Sequence, residues 1–272
     1  MKKVILALFL LVAVSGFTPT LFAQDLDEVL KLHFEAIGQS NVAKLKSITF
    51  TGKVIVQGGM IEIPMSMTQK RDNKMKTEST FQGQKFIEAY NGKTGWRINP
   101  FAGQTEPQAM TEDEIRSTKM QADLDGTLYN YAEKGYKAEL VGTEDMEGSK
   151  VHKIRLTNKD GEQFTYFIDA DSYVMLKTVS KVKMQGNEME SETFFGNYKQ
   201  VEGMAFPYSM ETKMMGQVVS QIVVDEVKLN PEIDDSTFEM PGGKTTATDA
   251  VKEEAKPAKN EKKAKKEKEA KK

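Results

Sequence analysis

Side chains able to carry out nucleophilic or proton-transfer chemistry are sparse in this sequence. The chain of 272 residues has two histidines, His33 and His152, and no cysteine. His33 lies on a helical apolar stripe and His152 alternates with Ile154 and Leu156, and both patterns are typical of packed positions. No Gly-x-Ser-x-Gly elbow, HExxH motif or phosphate-binding glycine loop occurs. The sequence therefore predicts a protein that is not an enzyme.

Two patterns contain residue types that bind metal ions. Asp169 and Asp171 could supply oxygen ligands for calcium, but aspartates between two strands are equally explained by bonds to their own turn. Met65-Ser66-Met67 and Met214-Met215 could supply thioether ligands for copper(I). Neither methionine pair has a histidine or cysteine nearby in the sequence. We therefore expect no metal and no cofactor.

Methionine and aromatic residues form a pattern of another kind near the end of the body of the chain. From Phe206 to Met214, alternate residues are aromatic, methionine or threonine, and those between are mainly polar, which indicates a strand with one dry face. Methionine adapts its shape to irregular neighbours. Such a face suits a flexible ligand, for example an acyl chain. The alternative is an ordinary core filled by helices, and the alternation alone fits both.

A single antiparallel sheet is the element that would present these faces. Turn signals recur along the chain, and Asn91-Gly92 is the strongest hairpin signal among them. Two helical patterns interrupt the strands. One begins at the capping residue Asp25, and the other begins at Thr111, which has capping-box spacing to Glu114. Because a curved sheet cannot cover its own concave face, these helices are the available cover, and the predicted class is α+β.

The start of the chain has the layout of a secretory signal. Lys2 and Lys3 precede an apolar run from Val4 to Phe17, which is too short to span a membrane as a helix. We predict that residues 1–23 are a signal peptide, with cleavage after Ala23. Since no cysteine lies at that point, we expect a soluble periplasmic protein without a lipid anchor.

The other end is rich in lysine, glutamate and alanine. Residues 251–272 contain ten lysines and five glutamates, and we predict that residues 244–272 form a disordered tail. It is either a solvated tail or a basic patch that touches an anionic membrane surface. The whole chain carries a net charge of −2, so the rest is acidic, which argues against nucleic-acid binding. Residues 24–243 are the predicted folded domain.

Five segments, in this order, share the pattern of a known family: VLKLHFEAIGQSNVAKLKSITFTGKV, NGKTGWRINPFAG, the helical stretch from TEDEI to LDGTLYNY, YFIDADSYVMLKT and FGNYKQVEGMAFPYSM. Together they resemble the LolA-like superfamily of periplasmic outer-membrane lipoprotein-sorting and carrier proteins. The resemblance covers Asp25 to Pro241. It implies an unclosed antiparallel barrel of about eleven strands, with helices over its mouth and a cavity that holds acyl chains.

The resemblance and the apolar faces together give a set of expected cavity residues. The candidates are Ile63, Met65, Met67, Met75, Phe81, Trp96, Ile115, Met120, Leu128, Phe164, Tyr166, Leu176, Phe206, Tyr208, Met210 and Met214. Carriers of this family close their cover with an arginine, and Arg97 is the candidate for that role.

The expected function is a periplasmic binding or carrier protein that moves lipoproteins or other acylated lipids toward the outer membrane. Its partners would then include transport proteins of the inner and outer membranes. Two alternatives stay open. One is a lipid-sensing regulatory module of the same fold, and the other is a surface-interaction protein with a filled core and no lipid.

Overall fold

The structure is a computed structural model that describes residues 25–184 and 187–242. The predicted signal peptide and the predicted tail both lie outside these residues. Thirteen strands of the described residues form one antiparallel sheet in the order β6-β5-β4-β3-β2-β1-β13-β12-β11-β10-β9-β8-β7. Their bounds are β1 Ser47–Val56, β2 Ile61–Lys70, β3 Lys74–Phe81, β4 Gln84–Asn91, β5 Gly95–Asn99, β6 Gln104–Ala109, β7 Lys137–Met146, β8 Ser149–Thr157, β9 Gln163–Asp169, β10 Met175–Met184, β11 Asn187–Val201, β12 Met204–Met214 and β13 Gln217–Leu229.

The prediction of one unclosed antiparallel sheet is confirmed, because the edge strands β6 and β7 do not pair with each other. The expected number of about eleven strands is too low. The additional strands include both edges, whose sequences QTEPQA and KAELVGTEDM lack a clean apolar alternation. An edge strand tolerates proline and charge because one side of it makes no ladder.

In the described part of the chain, three short α-helices accompany the sheet, so the protein is mostly β rather than α+β. They are α1 Leu26–Ile37, α2 Gln39–Val42 and α3 Glu112–Gln121. Asp25 caps α1 by accepting a 2.8 Å hydrogen bond from the Glu28 amide. Thr111 and Glu114 form the predicted capping box of α3. Within the described residues, no helix is long and apolar enough to cross a membrane.

The helices and the segment 122–136 lie on one face of the sheet, which we call the inner face. On β8 and β9, the buried side chains of Ile154, Leu156 and Ile168 pack against Val29 and Leu30 of α1. On β2 to β4, a smaller cluster packs Met75 and Tyr90 against Ala122 and Ile115. A third cluster joins Ile48 and Met204 to Leu45 and Leu124. We call α1 to α3 and residues 122–136 the cover.

The opposite, outer face has smaller clusters of its own. Trp96 packs with Ile87 and Ala89, and its indole nitrogen donates a 3.0 Å hydrogen bond to the Phe238 carbonyl. On the other half of the sheet, Val151, Phe167 and Val179 form a second outer cluster.

Antiparallel pairing sends the turns alternately to two ends of the sheet. The upper end carries the turns 57–60, 82–83, 100–103, 158–162 and 215–216. The lower end carries the turns 71–73, 92–94, 147–148, 170–174 and 202–203. The helix α1 ends at the lower end, where Gly38 adopts φ 70° directly against Gly203.

The contact between Gly38 and Gly203 predicts that a methyl group added at Gly38 destabilises the fold. A Cβ at Gly38 would lie 2.0 Å from the Gly203 carbonyl oxygen, whereas one at Gly58, with φ +66°, meets nothing within 4 Å. Both alanine variants carry the cost of a left-handed conformation, about 1–2 kcal/mol. We expect Gly38→Ala to lower the free energy of unfolding by about 1–3 kcal/mol more than Gly58→Ala.

Urea unfolding of the two variants measures this difference. Equal losses would mean that the end of α1 adjusts to the added methyl group without cost.

Candidate functional site

A cavity of about 220 Å³ lies beneath the cover at the lower half of the inner face. We call it the inner cavity. Its walls come from α1, α2, residues 123–129 and the sheet, and they include Phe34, Leu128, Tyr166, Tyr198 and Phe206. Its wall is therefore largely aromatic and aliphatic, as in sites that bind apolar ligands.

The tyrosine hydroxyls that face the inner cavity have partners and stay protonated. Burial raises the pKa of Tyr166 to about 12, and its hydroxyl bonds the Thr127 side chain. Burial also raises the pKa of Tyr198, whose hydroxyl donates a 2.7 Å hydrogen bond to the Met175 carbonyl. Neither group brings a charge into the cavity at neutral pH.

Arg71, in the lower turn between β2 and β3, fastens the cover to the sheet. Its guanidinium donates 2.7 Å hydrogen bonds to two carbonyls. One belongs to Val42, the last residue of α2, and the other to Leu45, which follows α2. It also makes a 2.6 Å ion pair with Asp125 in the middle of the cover. One side chain therefore ties two separate parts of the cover to one turn of the sheet.

Arg97 also joins the sheet to the cover, through an ion pair with Glu114 of α3. The facing residue on β4 is Glu88. Burial raises the pKa of Glu88, the Arg97 charge lowers it to a smaller extent, and Glu114 raises it further. Glu88 thus lies beside the Arg97–Glu114 ion pair on the inner face.

Among the described residues, the helices pack on the lower half of the inner face, and the upper half has no helix over it. Val54, Ile63, Met65, Met210 and Ile222 are half-buried there. At the β2 to β5 side this face deepens into a cavity of about 360 Å³, which we call the upper cavity. Its lining includes Val54, Ile63, Phe86, Arg97 and Phe101, and the rings of Phe86 and Phe101 stack with centroids 4.7 Å apart.

The two histidines meet at Tyr173 in a lower turn. His33 Nδ1 lies 2.8 Å from the Tyr173 carbonyl oxygen, and the His152 ring stacks on the Tyr173 ring at 5.9 Å. Both are buried, as expected for packed positions. In the part of the chain that the structure describes, neither buried ring nitrogen of His152 has a hydrogen-bond partner.

Asp169, at the end of β9, stabilises the turn that leads to β10. Asp169 accepts hydrogen bonds from the amides of Asp171 and Ser172 and from the Ser172 hydroxyl, the last at 2.6 Å. Among the described residues, no group of three or more histidine, aspartate or glutamate side chains is placed to hold a metal ion.

The structure distributes the candidate cavity residues over several environments. Leu128, Tyr166 and Phe206 line the inner cavity. A second set packs between the cover and the sheet: Met67, Met75, Ile115, Met120 and Phe164. Ile63 lines the upper cavity, while Met65 and Met210 lie on the uncovered inner face. The remaining candidates lie elsewhere: Phe81 is near the Phe101 ring, Met214 adjoins an upper turn, and Tyr208 is buried beneath the Lys199 ammonium group.

Two candidates belong to the outer face, and their assignment to the cavity is corrected. Trp96 and Arg97 are neighbours in β5, so their side chains point to opposite faces, and Trp96 is the outer one. Leu176 lies in a bulge of β10, where the register against β9 shifts between Met175 and Lys177. The bulge shifts the alternation, so that Met175 packs with the inner cluster and Leu176 with the outer one.

Sequence reasoning overlooked the contacts of Arg71 and the roles of Tyr198, Phe86 and Phe101. Arg71 follows the alternating strand β2 and precedes a polar turn, and nothing in that pattern marks a link to residue 125. Phe101 lies in a segment that reads as an ordinary loop. Only the pairing of β5 with β6 brings it over Phe86.

Comparison with solved structures shows what kind of fold this is. A putative outer membrane lipoprotein-sorting protein domain from Vibrio parahaemolyticus is 12% identical, with a TM-score of 0.53 over 78% of this chain and 97% of that chain. A LolA superfamily protein from Nitrosomonas europaea is also 12% identical, with a TM-score of 0.53 over 80% of this chain and 98% of that chain. A DUF1329 family protein from Desulfovibrio piger is 13% identical, with a TM-score of 0.54 over 78% of this chain and 97% of that chain.

The sequence comparisons are less specific. The family model that matches residues 107–241 is described only as an uncharacterized protein. No curated protein sequence matches the chain. The structural similarity to LolA-superfamily and lipoprotein-sorting domains, which the sequence segments predict, is therefore confirmed at the level of the fold.

The contacts of Arg71 predict that it holds the cover down. We expect Arg71→Gln to lower the free energy of unfolding by about 1–3 kcal/mol, because two carbonyls and a carboxylate lose their donor. Hydrogen exchange should speed up most in residues 39–45 and 123–126. Arg155→Gln is the matched control, since Arg155 is about one-third exposed and pairs with Glu139 of the neighbouring strand β7. Similar exchange in both variants would contradict the role of Arg71.

The buried histidines predict a loss of stability in mild acid. Burial lowers the pKa of His33 and of His152 from 6.5, with Lys150 adding to the lowering at His152 and Asp169 opposing it. The unfolded chain therefore binds protons first, and stability decreases as the pH falls below about 6.5.

His152→Phe removes one of the two groups and keeps the ring. We expect unchanged or higher stability at pH 7.5, and a smaller loss between pH 7.5 and 5.5, in urea unfolding at each pH. An unchanged pH dependence would show that His152 takes no part in it.

Proposed function

We propose that the protein binds acyl chains and carries lipoproteins or other acylated lipids through the periplasm toward the outer membrane. The observation that carries this proposal is the divided inner face. The face is largely apolar, the cover lies over its lower half in the described part of the chain, and the inner and upper cavities remain within it. The named relatives with this fold include a lipoprotein-sorting domain, which supports the same assignment.

The proposed binding requires the cover to move. Sites for small molecules usually enclose roughly 300–1,000 Å³, and the inner cavity of about 220 Å³ falls below that range. Release of Arg71 from Asp125, Val42 and Leu45 would free the part of the cover that lies over this cavity. An acyl chain could then extend from the inner cavity along the uncovered face toward Met210.

The two alternative functions differ in whether the protein binds lipid. A lipid-sensing module would bind the same ligand but change a protein contact instead of delivering cargo. A surface-interaction protein with a filled core would bind none. Periplasmic location, transport partners in the two membranes and contact of the Lys-rich tail with anionic lipid are further parts of the proposal.

Uptake of a fluorescent fatty acid by delipidated, refolded protein tests the proposal. Met210 lies on the uncovered inner face opposite Ile222, and Ser209 lies next to it on the outer face. A carboxylate at 210 would have to lose water when an acyl chain covers it. We therefore expect Met210→Asp to weaken probe binding at least about tenfold, or 1.4 kcal/mol.

Ser209→Asp is the matched control, because it places the same charge on the same strand and the opposite face. It should bind the probe like the wild type, and urea unfolding should show both variants folded. If the wild-type protein takes up no acyl probe, the filled-core alternative is correct. If the two variants weaken binding equally, the probe does not bind on the inner face.

A further inference from the structure

Large apolar side chains protrude from the turns at the upper end of the sheet. Met215 is 94% exposed, Met60 is 80% exposed and Phe101 is 64% exposed. Each belongs to a different hairpin: Met60 to β1–β2, Phe101 to β5–β6 and Met215 to β12–β13. Methionine and phenylalanine at this exposure are costly in water, and exposed apolar groups that share one surface commonly mark an interaction site.

The same turns contain no charged residue. The upper turns 57–60, 82–83, 100–103 and 215–216 are built from glutamine, glycine, alanine, proline, methionine and phenylalanine. By contrast, each lower turn carries at least one charge, namely Arg71, Asp72, Lys93, Glu147, Asp171 and Glu202. The exception at the upper end is the turn 158–162, which is charged and lies toward the β7 edge.

The protruding residues are arranged along one rim. Because β1 pairs with β13, the β1–β2 and β12–β13 hairpins are neighbours, and Met60 and Met215 lie on adjacent turns. Val218 and Val219, at the start of β13, are also exposed. Phe101 continues the rim on the other side, where its ring stacks on Phe86 of the upper cavity. We call Met60, Phe101, Met215, Val218 and Val219 the apolar rim.

We propose that the apolar rim is a membrane-docking surface, and that its side chains enter the interfacial layer of a lipid bilayer. The rim consists of separate protruding turns from three hairpins. A fluid bilayer accepts protruding apolar groups whatever their spacing, whereas a protein partner needs a matching surface. The uncharged turns can enter this layer without removing water from a charge.

The location of the rim links it to the proposed function, on which this part of the argument rests. The rim borders the open end of the uncovered inner face. A ligand that leaves this face at the upper end would therefore pass directly into the bilayer on which the rim is docked. The charged lower turns and the cover would stay in water.

Flotation of the full-length protein with phosphatidylcholine vesicles in 0.5 M NaCl tests the proposal. Uncharged lipid and high salt suppress electrostatic attraction of the Lys-rich tail, so that apolar contact dominates. We expect the wild type to float with the vesicles, and the double variant Met60→Ser/Met215→Ser to partition at least tenfold less. Phe101→Ser should reduce flotation as well. Val141→Ser is the control, because Val141 is exposed on β7, away from the rim.

The outcomes separate this proposal from the proposed lipid binding. Met60 and Met215 line neither cavity, so the double variant should take up the fluorescent fatty acid as well as the wild type does. Absence of wild-type flotation, or equal flotation of the double variant, would overturn membrane docking and leave acyl binding standing. If light scattering instead shows that the rim residues hold two copies of the chain together, the rim is a protein interface.

Discussion

The unpaired edges of the sheet are the constraint on which the rest of the structure depends. Thirteen strands pair in series, but β6 and β7 are left at opposite edges, so the apolar inner face cannot be buried by closure. These edge strands are also consecutive in the chain. The segment between them, residues 110–136, must therefore pass from one edge of the sheet to the other, and it supplies α3 and most of the cover on the way.

The cover is attached unequally on its two sides. Toward β8 and β9, α1 and Leu128 bury Ile154, Leu156 and Ile168 completely, and exposing such side chains costs roughly 1.5–3 kcal/mol each. Toward β2 to β5, the attachment depends more on Arg71 and Arg97. The partly exposed ion pairs contribute about 0–1 kcal/mol each, and each hydrogen bond from the charged Arg71 guanidinium contributes about 1.5–3 kcal/mol.

The sequence predicts most of the sheet because the central strands have one apolar, buried face and one polar, solvent-exposed face. The alternation identifies Met75, Tyr166 and Phe206 as inner residues, and the caps of α1 and α3 are readable as local hydrogen-bond patterns. The edge strands cannot be predicted from such an alternation, since proline and charged residues are tolerated there. The face of Leu176 is misread because a bulge adds a residue to β10, and the chain before the bulge gives no signal of it.

The site is less predictable than the sheet because its contacts join distant parts of the chain. Arg71 meets Asp125 across 54 positions, and His33 meets Tyr173 across 140. Neither pair shares a local pattern that would identify its partner.

The unequal attachment of the cover also determines where the inner face can open. The β8–β9 side would have to expose a complete apolar cluster, whereas the β2–β5 side exchanges polar contacts with water and exposes the smaller cluster around Met75. The less costly motion lifts α3 and leaves α1 and α2 packed, because α2 and Leu45 lie over a third cluster that includes Ile48 and Met204. Lifting α3 would break its ion pair with Arg97, and Arg97 is itself part of the upper lining. In the proposed function, an opening on this side would lead a ligand along the inner face toward the uncharged upper turns.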